Sequence, residues 1–302
     1  MGTSDRQQAW SRYWQSGALH SCVGSYAGNY GGAVAAFWRE RFADLTAGMR
    51  VLDVCTGNGP LPALLVEHFG DAPAPTIDAV DFAEPRPAWR DASRVRFHPG
   101  VAVERLPFDD ASFDRVYSQY GIEYADREAA AAEVARVLKS GGEAAFVCHH
   151  SGSRLAGVAA EEVSHAAWLL GGGVLEATDA VFDAVARRGP QAAIVDPRFD
   201  AQMRSLVERA RAAAIPDALH SGGEAIGKLV EIAATRGAPI ARAALARWRA
   251  QLADARLRSA ELVAHALDRA DAEALAEALG GRAEIGELFE GDHLLGWTIV
   301  SR

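Results

Sequence analysis

The 302-residue chain predicts an α/β fold in which a mostly parallel, doubly wound sheet is interrupted late by a large helical insertion. Three observations carry that expectation. Val51–Ala63, VLDVCTGNGPLPA, reads as strand, small-residue turn and helix. Further short apolar runs follow it, and the next, Thr76–Asp81, ends in an acid where doubly wound folds place one. Finally, residues 151–270 show apolar side chains at three- and four-residue spacing, the mark of helix after helix.

Composition narrows the function before any motif is read. Hydrophobic residues make up 49% of the chain, enough for a substantial core. A net charge of −9 argues against holding nucleic acid by phosphate neutralisation, so no nucleic-acid partner is expected. Cys22, Cys55 and Cys148 have no metal-ligand spacing and are too few for a disulfide framework, which fits a reducing compartment. The polar start, MGTSDRQQAWSRYWQ, has no apolar signal core, and no run approaches the ~20 apolar residues that span a bilayer. The chain reads as cytoplasmic, with no membrane partner, and a homodimer is compatible with its length.

Taken in order, residues 1–45 form a helical leader. Trp10, Tyr13 and Trp14, then Phe37, Trp38 and Phe42, recur at helical spacing on either side of a glycine-rich link, Cys22–Gly32, that carries Tyr26 and Tyr30. These aromatics either staple the leader to the domain or form a flap over a ligand. In the central stretch, Asp53 lies near the end of the first strand and Cys55–Gly59 makes the turn. Pro60 and Pro62 are tolerable in a helix's first turn. Bare backbone at such a turn admits a cofactor closely. A dinucleotide fingerprint would need its third glycine at position 62, where proline stands.

Asp81 ends the second strand, and an acid there takes a ribose diol. Asp78 competes for that role from inside the strand, and Phe82 is placed to flank an adenine. Val95–His98 reads as the third strand and Arg115–Ser118 as the fourth, with Gln119, Tyr120, Glu123 and Tyr124 at its crevice end. Arg127–Lys139 reads as a helix stopped by Ser140-Gly141-Gly142, and Glu143–Cys148 as the fifth strand, ending in His149-His150. The helical insertion shows four amphipathic segments, 159–170, 176–188, 199–213 and 241–269. Asp271–Leu279 is a closing helix, and Ala283–Glu290 and His293–Val300 are two strands joined at Gly291-Asp292.

Four stretches carry a family resemblance. VLDVCTGNG resembles motif I of the class I S-adenosylmethionine-dependent methyltransferases, an acid followed by G-x-G-x-G. Asp53 matches the acid, Gly57 and Gly59 match the last two glycines, and Cys55 replaces the first. LPFDDASFDRVYSQYGIEY resembles the family's lead into the fourth strand, and EVARVLKSGG its E-x-x-R-V-L-K-P-G-G run, with Ser140 in place of proline. The terminal hairpin resembles the family's sixth and seventh strands. The resemblance covers about residues 50–150 and 271–302.

It implies a Rossmann-like seven-stranded sheet, mostly parallel with a C-terminal antiparallel hairpin, and a helical lid between strands 5 and 6. The implied domains are a leader or flap at 1–45, a cofactor domain at 46–150 plus 271–302, and a lid at 151–270. S-adenosyl-L-methionine is the implied cofactor, bound by Asp53, Cys55, Thr56, Gly57, Asn58, Gly59, Asp81, Phe82, Val103 and Gln119, with Tyr30 near the sulfonium. The family's adenine-binding Asp, four residues before Leu-Pro, is replaced by Ala102, so adenine would lean on backbone near Val103, on Glu104, or on packing.

Methyl transfer asks the protein to align a nucleophile, exclude water and, for a phenol, alcohol or ammonium, remove a proton. His149 and His150, then Glu123 and Tyr120, are the candidates for that proton. His165, His220 and Trp168 read as structural. No H-E-x-x-H, C-x-x-C or Walker lysine is present, and no metal is expected. The expected acceptor is a small molecule methylated on O or N. An RNA or protein methyltransferase, or a non-catalytic cofactor binder, are the alternatives.

Overall fold

The computed structural model describes residues 3–22 and 28–302, so Tyr26 lies outside the described residues. Seven strands form one sheet: Arg50–Val54 (β1), Thr76–Asp81 (β2), Val95–Pro99 (β3), Phe113–Gln119 (β4), Leu138–His149 (β5), Ala283–Glu290 (β6) and His293–Ser301 (β7). Their spatial order is β3-β2-β1-β4-β5-β7-β6. β1 through β5 pair in parallel, and β7 runs antiparallel to both of its neighbours. The helices in chain order are α1 (Thr3–Gln15), α2 (Gly32–Phe42), α3 (Pro60–Phe69), α4 (Arg127–Val137), α5 (Arg154–Gly171), α6 (Val174–Arg188), α7 (Gln191–Ile194), α8 (Pro197–Ala212), α9 (Asp217–Arg236), α10 (Ala238–His265) and α11 (Arg269–Ala278).

The two-residue period of a strand divides the sheet between two cores. Val51 of β1 and Ala145 and Val147 of β5 pack with Trp38 and Phe42 of α2 and Leu61 and Leu65 of α3. Their sequence neighbours, Leu52, Val54, Ala144 and Phe146, pack on the other face with Ala131 and Val134 of α4 and Leu275 of α11. Strands buried on both faces read as continuous apolar runs, which is why VLDV and AAFV stand out in the sequence.

The chain divides into two compact units, residues 1–156 with 261–302 and residues 157–260. The described leader residues belong to the first. The second has its own core, centred on Leu169, Leu175, Phe182, Phe199, Leu219 and Leu229. Among the described residues no helix is long and apolar enough to cross a membrane.

Three boundaries differ from the sequence expectation. α4 stops at Val137, not Lys139, and β5 begins at Leu138, not Glu143. Leu138 already pairs with Phe113, and the register then jumps to Arg115 with Glu143, so Ser140-Gly141-Gly142 is an excursion within β5 rather than a helix stop. Lys139 is held there by its ion pair with Asp114 at 2.8 Å. The segment expected to run helical through Arg269 breaks after His265, because Leu267 exchanges backbone hydrogen bonds with His149 and Ser151. α9 falls within the stretch expected to be helical but outside its four named segments, and Gly222, Gly223 and Gly227 lie inside it. Its helix uses the missing side chain: a β-carbon on Gly222 would lie 3.2 Å from Leu169.

Phe182 is wholly buried at the centre of the helical unit. Phe182→Ala is expected to cost about 3–5 kcal/mol, read as an earlier loss of helical circular dichroism in urea. An unchanged profile would contradict this packing.

Candidate active site

The site lies where β1, β2 and β4 present their carboxyl ends, the place a doubly wound sheet leaves open for ligands. The turn after β1 begins with Cys55 at φ 59, passes Gly57 at φ 55, and reaches Gly59 at φ 76, the N-cap of α3. Left-handed backbone costs a non-glycine residue about 1–3 kcal/mol, so Cys55 carries strain that glycine would not. Space constrains the two glycines as firmly. A β-carbon on Gly59 would lie 2.8 Å from the Phe97 ring, and one on Gly57 would lie 2.6 Å from the Trp14 indole.

Asp81 ties this turn to β2. Its Oδ2 accepts the Gly57 N–H at 2.7 Å and its Oδ1 accepts the Ala83 N–H at 2.7 Å. Burial raises the Asp81 carboxyl pKa, and these two N–H donors pull it back down. Beneath the turn, burial pushes Asp53 up to about 8, with the nearby Asp81 charge adding to the rise.

A cavity opens above these groups. The sheet end contributes Cys55, Thr56, Asp81, Phe82, Gln119 and Tyr120, and the leader contributes Arg6, Trp10, Trp14 and Tyr30. The leader is fastened by Asn58, whose Nδ2 donates to the Trp14 carbonyl at 2.8 Å and the Ala18 carbonyl at 2.6 Å. The Asn58 Oδ1 accepts the Arg86 N–H at 2.6 Å. Arg6 donates to the Tyr124 carbonyl at 2.8 Å and pairs with Glu261 at 2.9 Å. His20 stacks on Tyr30 with centroids 4.8 Å apart, and burial lowers its pKa against a hydrogen bond with the Gly28 carbonyl.

One ring back from the cavity wall is a buried Glu–His pair. Glu123 Oε1 accepts both the backbone N–H of His149, at 2.8 Å, and its Nδ1–H, at 2.7 Å. Side-chain exposure is 1% for His149 and 0% for Glu123. With Nδ1 committed as donor, Nε2 is the free position, and it has no partner among the described residues. Tyr120, itself at φ 54, stacks on the imidazole at 4.3 Å, and Tyr124 meets it edge-on at 5.8 Å.

The sheet order places β7 as the one antiparallel strand, between β5 and β6. Residues 51–142 match the family model described as Methyltransferase domain. They form the heart of a class I S-adenosylmethionine-dependent methyltransferase domain.

Around that methyltransferase domain the curated relatives cover only part of either chain. A ubiquinone/menaquinone biosynthesis C-methyltransferase of Xanthomonas oryzae pv. oryzae is 34% identical over 117 residues, which is 35% of this chain and 46% of that protein. A demethylmenaquinone methyltransferase of Deinococcus radiodurans is 40% identical over 103 residues, 31% of this chain and 40% of that one. The chain thus spans under half the length of each of these two relatives. Among solved structures, the YcgJ protein of Bacillus subtilis aligns at 28% identity and a TM-score of 0.32, covering 45% of this chain and 58% of that one.

The site does not gather every residue the sequence proposed. Cys55, Thr56, Asp81, Phe82, Gln119, Tyr120 and Tyr30 line the cavity. Gly57 lies under Trp14, Gly59 against Phe97, and the Asn58 side chain is spent on the leader and on Arg86. Val103 packs in the core below the sheet end, and Glu104 accepts the Asp126 N–H at 2.9 Å, so neither lines the cavity. Asp78 is held by Arg50, Arg96 and His98. His150 faces the opposite way from His149, as successive strand residues do, and stacks on Trp297 at 4.4 Å. The sequence reading left Trp10 and Trp14 open between staple and flap, and did not single out Arg6 and His20, which also line the wall. The two tryptophans, four apart just before the glycine-rich link, were the available signal, whereas nothing local marks Arg6 or His20.

The raised pKa of Asp53 has a direct consequence for stability. Between the ordinary carboxyl range and about 8, the folded state keeps a proton that the unfolded state has released, so stability falls as pH rises. Asp53→Asn removes this slope. In urea unfolding at pH 5 and pH 8, the variant is expected to lose less stability than the parent over that interval; an equal loss would contradict the assignment.

Proposed function

We propose that this chain transfers a methyl group from S-adenosyl-L-methionine to a small-molecule acceptor. The observation that carries the reading is the Asp81 carboxylate at the end of β2, tied to the glycine turn and lining an aromatic-walled cavity. The residues present fit the cofactor. Each Asp81 oxygen accepts one backbone N–H and keeps a lone pair for a ribose hydroxyl. Phe82 lies beside it on the cavity wall, and Trp10, Trp14, Tyr30 and Tyr120 make that wall aromatic, a surrounding that favours a cation. When bound, the cofactor supplies an electrophilic methyl group on a sulfonium.

The chain's own part is enclosure and proton removal. Glu123 fixes the His149 tautomer and leaves Nε2 as the candidate base; it lies behind Tyr120, so in this reading the cavity reaches it when the Tyr120 ring moves aside. A base suits an acceptor that is protonated at its nucleophilic atom: a phenol, an alcohol, an ammonium or an enolisable carbon. The carbon acceptor enters beside O and N because curated relatives are named as C-methyltransferases.

The test is S-adenosylhomocysteine release over a panel of phenols, amines and enolisable ketones. His149→Asn, which keeps an N–H toward Glu123 and removes Nε2, is expected to slow transfer by about 10²–10⁴ with cofactor affinity unchanged. Asp81→Asn is expected to weaken cofactor affinity instead. Turnover by His149→Asn at the parent rate would remove the base from the account.

A further inference from the structure

We infer that Trp38 and Gln119 form a clamp that presents an amide NH2 to the carboxylate at the methionyl end of the cofactor. The inference rests on the cofactor reading above and adds one contact to it. Trp38 lies in α2, wholly buried, and its indole N–H donates to Gln119 Oε1. An indole nitrogen donates and never accepts, so this bond settles which end of the amide is oxygen. Nε2 is therefore the other end, and it has no acceptor among the described residues.

Gln119 is the last residue of β4, is 7% exposed, and lines the cavity. Buried donors without acceptors are rare in folded proteins, and one on a cavity wall points to a ligand that brings the acceptor. Strand order says which part of the ligand that is. Asp81 and Phe82 follow β2, Gln119 ends β4, and β1 lies between them. With strands about 4.8 Å apart, a ligand with its ribose at Asp81 and adenine by Phe82 meets Gln119 with its opposite end. That end carries an ammonium, which cannot accept, and a carboxylate, which accepts with charge assistance. Trp38, which does not line the cavity, is a positioning residue.

The experiment is calorimetric titration of the full chain with S-adenosylhomocysteine and with 5′-methylthioadenosine, which lacks the amino-acid end. Gln119→Ala and Trp38→Phe are expected to weaken S-adenosylhomocysteine binding by about tenfold or more and to leave methylthioadenosine within about twofold. Gln119→Glu is expected to bind S-adenosylhomocysteine most weakly, because it still accepts from Trp38 but sets a carboxylate against a carboxylate. Retained methylthioadenosine binding is the control for folding, and the nearly isosteric Gln119→Glu carries the test should Trp38→Phe fail to fold. Undiminished S-adenosylhomocysteine binding, or equal loss for both ligands by Gln119→Glu, would overturn the clamp alone. A parent protein that binds neither ligand would overturn the cofactor reading and the clamp with it.

Discussion

The carboxylate of Asp81 is the joint on which the site depends. One oxygen takes the Gly57 N–H and the other the Ala83 N–H, so a single side chain fixes the glycine turn after β1 and the bend after β2. Charge-assisted bonds of this kind are stronger than neutral ones, and they hold a carboxylate in a place where burial resists it. The strained backbone at Cys55 and Tyr120 follows β1 and β4, the next two strands of the sheet. Backbone of that kind persists only where the surroundings over-determine it.

Around the joint the molecule is built in shells. The sheet supplies fixed points two residues apart, with α2 and α3 closing one face and α4 and α11 the other. The leader then adds a wall that no strand provides. Asn58 performs the fastening from the turn itself, so the position between the two glycines serves the leader rather than the ligand. Behind that wall, Glu123 and His149 are kept from solvent as a pair. Removing one member of such a buried pair is costlier than never having built it, which is why the substitution that keeps an N–H toward Glu123 isolates Nε2 most cleanly.

Much of this was legible in the sequence because it is local. VLDVCTGNG, the acid ending TIDAVD, and the terminal hairpin are each short contiguous stretches, and together they imply the seven-stranded sheet that the structure shows. What was not legible depends on partners far along the chain. Gly222 of α9 looks like a breaker until Leu169 is seen filling the space it leaves. The start of β5 is hidden by an excursion whose pairing with Phe113 cannot be read from SGG alone. At the site, Asp81, Gln119 and Tyr120 follow from strand ends, whereas Arg6 reaches the cavity through a leader whose docking rests on Glu261, 255 residues away. The side-chain partners of Asn58 and Val103, Trp14 and the core below β4, were hidden for the same reason: they are not neighbours in sequence.

The central claim is that the turn and its acid hold S-adenosyl-L-methionine and not a dinucleotide. Titration calorimetry of the full chain with S-adenosyl-L-methionine and, separately, with NAD tests it most directly. The account predicts saturable, one-to-one binding of the first and no heat from the second. Binding of NAD, or a folded protein that takes up neither, would contradict it.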